Sequence, residues 1–102
     1  MAERDPLGPI HPGEVIMEEF LIPLGKTPDD LARAMELSND TVVDVIEERA
    51  PITAAIAVRL EKALGPSIEF WLGLQHQYEL EAAREAGRNL DLSAIPRLVA
   101  AE

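Results

Sequence analysis

Two closely spaced helix starts constrain this chain more than anything else in it. Thr27-Pro28-Asp29-Asp30 joins a hydroxyl cap to a proline at the first helical position and two acids in the first turn. Soon after, Ser38-Asn39-Asp40 supplies a second cap. Leu31, Ala32 and Met35 give the first helix a buried stripe, and Val42, Val45 and Ile46 give one to the second. Ala32 is small enough to let the second helix approach closely. Glu36 falls where the turn calls for positive φ, at a cost of about 1 kcal/mol for a residue that is not glycine. The stretch from Asp29 to Glu48 thus has the layout of a helix-turn-helix, whose second helix can enter the major groove of DNA.

The charge on that second helix argues the other way. It carries Asp40, Asp44, Glu47 and Glu48, with Arg49 alone at its end. The imbalance extends through residues 1–52, where four basic side chains face twelve acidic ones, whereas residues 53–102 hold five basic and seven acidic. An acidic face repels phosphate and attracts lysine and arginine, so the pattern fits a basic partner as well as simple solubility.

The rest of the chain reads as helices around the pair. Residues 1–10 hold two prolines and a glycine without periodicity and are expected to form an extended arm. His11-Pro12-Gly13-Glu14 opens a helix expected to run to about Leu21, with Ile22-Pro23-Leu24-Gly25 ending it. Thr53 caps a fourth helix with Ile56, Leu60 and Leu64 inward and Gly65 as its stop. Ser67 caps a fifth that runs to about Gly87. In it Phe70 is expected in the core, and Trp71 and Tyr78 are expected to divide between core and a dimer face. Residues 88–102 hold Leu90, Leu92, Ile95, Leu98 and Val99, an apolar tail expected to fold back or to bind a partner or a second copy. No strand pair is predicted. The expected fold class is all-α, with a domain over residues 11–87.

Several function classes are set aside at this stage. There is no cysteine, so disulfides and thiolate chemistry are excluded. His11 and His76 stand far apart with no metal-ligand spacing, and the capping serines lack a neighbouring base. No glycine-rich phosphate loop is present. An enzyme, a metal and a cofactor are therefore not expected. No basic-then-apolar leader and no long apolar run occur, so the expectation is a cytoplasmic protein without a membrane span.

Taken together, His11-Pro12-Gly13-Glu14, Phe20-Leu21, Pro23-Leu24-Gly25, Leu31-Ala32, Ile52-Thr53, Arg59-Leu60, Ala63-Leu64-Gly65, Glu69-Phe70-Trp71-Leu72 and Leu74-Gln75 form an ordered pattern. In that order and spacing the chain resembles the HigA-type antitoxins, a branch of the lambda-repressor-like (Cro/C1, XRE) helix-turn-helix family. The resemblance spans roughly residues 10–85. It implies a five-helix DNA-binding domain and a homodimer. It also implies operator DNA as a partner, and a basic HigB-like mRNA-endonuclease toxin that the protein neutralises while repressing the shared operon.

The second helix departs from the family pattern. Where members commonly have Arg or Gln after the cap and a Gly-Lys pair at the end, this chain has Asn39, Asp40, Asp44, Glu47, Glu48 and Arg49. The candidate DNA face is Ser38, Asn39, Asp40, Thr41 and Asp44 with Arg33 and Arg49. Asn can pair with adenine and an acid can accept from cytosine, yet the same residues are also ordinary helix-start chemistry. Arg33 can hold a phosphate or pair with Asp29 or Asp30. Two readings stay open: an operator-binding antitoxin, or a protein-interaction module of this fold that has lost specific DNA binding.

Overall fold

The computed structural model describes residues 9–99, so residues 1–8 of the expected arm and residues 100–102 of the tail lie outside the described residues. Five helices follow one another, and no strand occurs among the described residues. The first, α1, is continuous over residues 12–24 and is built in three segments: Pro12–Val15, a widened π segment Ile16–Leu21, and Ile22–Leu24. Then come α2 (Pro28–Met35), α3 (Asn39–Ile46), α4 (Ala54–Leu64) and α5 (Ile68–Arg88).

The expected caps are in place. Thr27 and Asp30 form a reciprocal capping box, Asp30 N–H donating to Thr27 Oγ1 at 3.1 Å and Thr27 N–H to Asp30 Oδ2 at 2.9 Å. Ser38, Thr53 and Ser67 accept from the backbone N–H groups of Thr41, Ile56 and Phe70. Glu36 adopts φ 59°, the left-handed conformation its place in the turn requires, and Glu48 does the same at φ 65° beyond α3.

α1 corrects one expectation. It does not stop at Leu21 but continues through Leu24 to a left-handed Gly25. A proline inside a helix lacks a donor and clashes with the carbonyl four residues back. Here the turn ahead of Pro23 is already widened, Ile22 N–H reaching five residues back to Met17 O, so the helix passes through the proline.

His11 caps the start of α1, its Nδ1 accepting from Gly13 N–H at 2.9 Å. It is 3 % exposed and meets Tyr78 edge-on at 4.8 Å between ring centroids. A Cβ on Gly13 would stand 2.1 Å from Val45 O and 2.9 Å from Ile46 Cα, so only glycine lets α1 rest on the end of α3. The core around this contact combines Ile16, Leu21, Leu31, Ala32, Met35, Val42, Val45, Ile52, Ala57, Leu60 and Trp71.

In α5 the two adjacent aromatics trade places with expectation. Trp71 is 0 % exposed, with its Nε1–H donating to Pro66 O at 3.1 Å, whereas Phe70 is 42 % exposed and lies edge-on against it. Trp71 therefore leaves no side-chain surface for a second copy. Likewise Ala57, not Ile56, is the fully buried neighbour of Leu60 in α4. Beyond Gln75 no residue of α5 is buried, and every tail residue through Val99 is exposed, Leu90 at 60 % and Leu98 at 93 %. The fold-back expectation for the tail is thereby corrected. At 16.8 Å the radius of gyration exceeds the roughly 13 Å of a compact domain this size, because half of α5 and the tail project from the core.

Candidate nucleic-acid interface

Two elements pack directly on α3. Gly13 of α1 rests on its C-terminal carbonyls, α2 packs beside it through Ala32 and Met35, and Val42 and Val45 anchor its inner face. Supporting hydrogen bonds come from polar groups outside the helix pair. Arg59 of α4 donates to Met35 O at 2.8 Å, satisfying a carbonyl at the end of α2. Gln75 of α5, buried, accepts from Ile52 N–H at 2.8 Å and donates to Glu79 at 3.0 Å, so the segment after α3 is tied to α5. What remains outward is the first turn of α3, where Ser38, Asn39 and Asp40 are exposed and Thr41 half-buried.

Both arginines of the expected DNA face are engaged by carboxylates. Asp29 sits between α2 and α3, with Oδ2 2.8 Å from Arg33 Nη2 and Oδ1 accepting from Asn39 Nδ2 at 3.4 Å. Arg49 folds back over the end of α3. Its Nε and Nη2 donate to Asp44 Oδ1 at 3.2 and 2.9 Å, and its Nη1 to Glu47 Oε1. Ser38 and Thr41 share a hydroxyl–hydroxyl hydrogen bond of 2.7 Å. Asp40 makes no hydrogen bond or ion pair among the described residues.

Magnitudes decide what these pairs mean. All five charged side chains in these pairs are about half exposed or more, and exposed ion pairs of this kind contribute about 0–1 kcal/mol. They do not lock the arginines away. A phosphate can replace either carboxylate at little cost, although the displaced carboxylates stay nearby and repel it.

Sequence reasoning missed the parts of the interface that depend on distant residues. Gly13 carries no local sign that it faces Val45, and nothing around Gln75 marks it as the partner of Ile52 N–H. The Asp29–Arg33 pair had a usable signal, the i,i+4 spacing on one helix.

An all-helical domain with an exposed, capped second helix held by a tight turn is a helix-turn-helix protein of the DNA-binding class. No protein-family model matches the chain. It is 42 % identical over 72 residues to the antitoxin HigA-1 of Vibrio cholerae, covering 71 % of this chain and 68 % of that protein. Two solved structures are close. One is the antitoxin GraA, at TM-score 0.82 and 36 % identity over 90 % of this chain and 99 % of that one. The other is the Pseudomonas aeruginosa antitoxin HigA with the higBA promoter, at TM-score 0.78 and 39 % identity over 89 % and 99 %. The chain belongs to the HigA-type antitoxins of the helix-turn-helix family.

Proposed function

We propose that this protein is an antitoxin and operon repressor that contacts operator DNA through the first turn of α3 and neutralises a basic, HigB-like toxin. The observation that carries the DNA half is the outward N-terminal turn of α3, in a fold whose relative was solved with its promoter. The acidic first half of the chain supports the toxin half, because it presents the charge that a basic partner seeks. The protein acts by binding rather than by catalysis. Among the described residues no group of three His, Cys, Asp or Glu is gathered as a metal site, and no helix is long and apolar enough to cross a membrane. A cytoplasmic homodimer is the form this function requires, with half-sites about 34 Å apart. The apolar tail, with exposed Phe70 and Leu80 and half-buried Tyr78 of α5, offers surface for self-pairing or toxin capture.

The test has two arms. Titration of the protein's own promoter at low salt should give specific retardation that Asn39→Ala or Arg49→Ala abolishes. Co-expression should recover a complex with the product of the neighbouring gene, which alone should arrest growth. Toxin capture without promoter retardation would favour the second reading, an interaction module whose acidic α3 no longer binds DNA. The engagement of Arg33 and Arg49 by acids is the observation behind that alternative.

A further inference from the structure

The first turn of α3 carries one acceptor-only side chain, the Asp40 carboxylate, beside the mixed donors and acceptors of Ser38, Asn39 and Thr41. Asp40 is exposed and unengaged among the described residues. Asn39 gives one amide N–H to Asp29 and keeps its second N–H and its Oδ1 open. Ser38 and Thr41 share one hydroxyl–hydroxyl hydrogen bond. Arg33 and Arg49, the side chains able to donate to guanine, pair weakly at the surface with Asp29 and with Asp44 and Glu47.

We propose that Asp40 is a specificity-determining residue that selects cytosine. Cytosine is the one base whose major-groove edge offers a donor, the N4 amino group, without an acceptor beside it. Guanine presents N7 and O6 and thymine presents O4, all acceptors that repel a carboxylate. Adenine pairs its N6 donor with an N7 acceptor, so a carboxylate gains one contact there and meets repulsion at the next. The helix dipole does not require this residue to read bases, since any acid in a first turn is favourable there. What points to readout is the combination of exposure, absence of a side-chain partner among the described residues and a carboxylate that can only accept, on the outward first turn of α3. The charge that weakens phosphate binding becomes, at this one position, a filter against three of the four bases.

This inference rests on α3 entering the major groove, and the experiment separates the two claims. The full chain is used to select binding sites from a randomised duplex pool at low salt, and base preferences are measured for wild type, Asp40→Ala and Asp40→Asn. Wild type should require cytosine at one position of each half-site, with about a tenfold loss on replacement by any other base. Asp40→Ala should flatten that position alone, and Asp40→Asn should move its preference toward adenine. A purely structural role for Asp40 would lower thermal stability without changing any base preference, and that outcome overturns the proposal. So does selection of guanine or thymine, or a profile that Asp40→Ala leaves unaltered. If no sequence is enriched and the native promoter is not retained, the repressor reading fails and this inference with it.

Discussion

Gly13 and His11 show how two residues on one helical turn aim a binding surface they do not belong to. The 2.1 Å separation between a Cβ at position 13 and Val45 O is far inside any tolerated contact, and the obstacle is backbone rather than a side-chain tip. Gly13→Ala must therefore push α3 away from α1. We expect a loss of about 3 kcal/mol, the upper end for overpacking, read as a lower urea midpoint, together with weaker promoter retardation. His11 adds a pH dependence. Burial lowers its pKa from the usual value of 6.5, and the Glu48 charge and a hydrogen bond to the Ala50 backbone only partly oppose that. Its Nδ1 accepts from Gly13 N–H, so the cap needs the neutral ring. With the folded-state pKa below the unfolded one, the unfolded chain takes up the proton first as pH falls. The contribution is thus fully present above pH 6.5 and is lost as pH falls through the folded-state value. The urea midpoint should drop as the pH is taken below 6.5, and His11→Asn, which keeps a capping acceptor, should remove most of that drop.

α3 and its acidic frame pose the question of how a helix with so little positive charge can still serve DNA. Exposed ion pairs hold Arg49 only weakly, so its availability to phosphate depends on the charge of Asp44 and Glu47 more than on their geometry. Replacing both, as Asp44→Asn with Glu47→Gln, should leave folding stability within about 0.5 kcal/mol. DNA affinity should rise, and the log–log salt dependence should steepen by about one unit for each arginine released. Titrations at several salt concentrations measure both. An unchanged slope would mean that this end of α3 never meets the backbone. The helix pair itself was legible in the sequence because its signals are local: Thr27 with Asp30, Ser38 as a cap, and Glu36 in a turn that demands positive φ. The same locality explains the errors. Phe70 and Trp71 are neighbours in a helix, so their faces differ by about 100°, and periodicity alone did not say which one enters the core. Pro23 reads as a terminator until the π segment ahead of it is seen. Of the pairs at the candidate DNA face, Asp29–Arg33 was legible from its i,i+4 spacing, but that of Arg49 was not, because Arg49 reaches Asp44 across the end of the helix rather than along one face.

Across the molecule as a whole, the packed and the projecting parts divide the work. The core that supports α3 ends, in α5, at Gln75; beyond it lie the exposed half of that helix and a tail whose Leu90, Leu92, Ile95, Leu98 and Val99 are all in solvent. Side chains of this kind gain about 1.5–3 kcal/mol each when fully buried, so the tail holds a large driving force that the folded domain leaves unused. Its residues through Val99 are all exposed, so they contribute little burial to the domain. Deletion of residues 90–102 should accordingly leave the thermal midpoint unchanged within about 2 °C. Self-association by sedimentation and toxin capture by titration should then part company from stability, with one or both weakening about tenfold or more. Single substitutions sharpen the attribution: Leu98→Asp places a charge on the most exposed apolar residue and should reproduce most of the loss. A midpoint several degrees lower would instead mean that the tail braces the domain. Unchanged association on both measures would leave Tyr78 and the outer half of α5 as the surface through which partners are held.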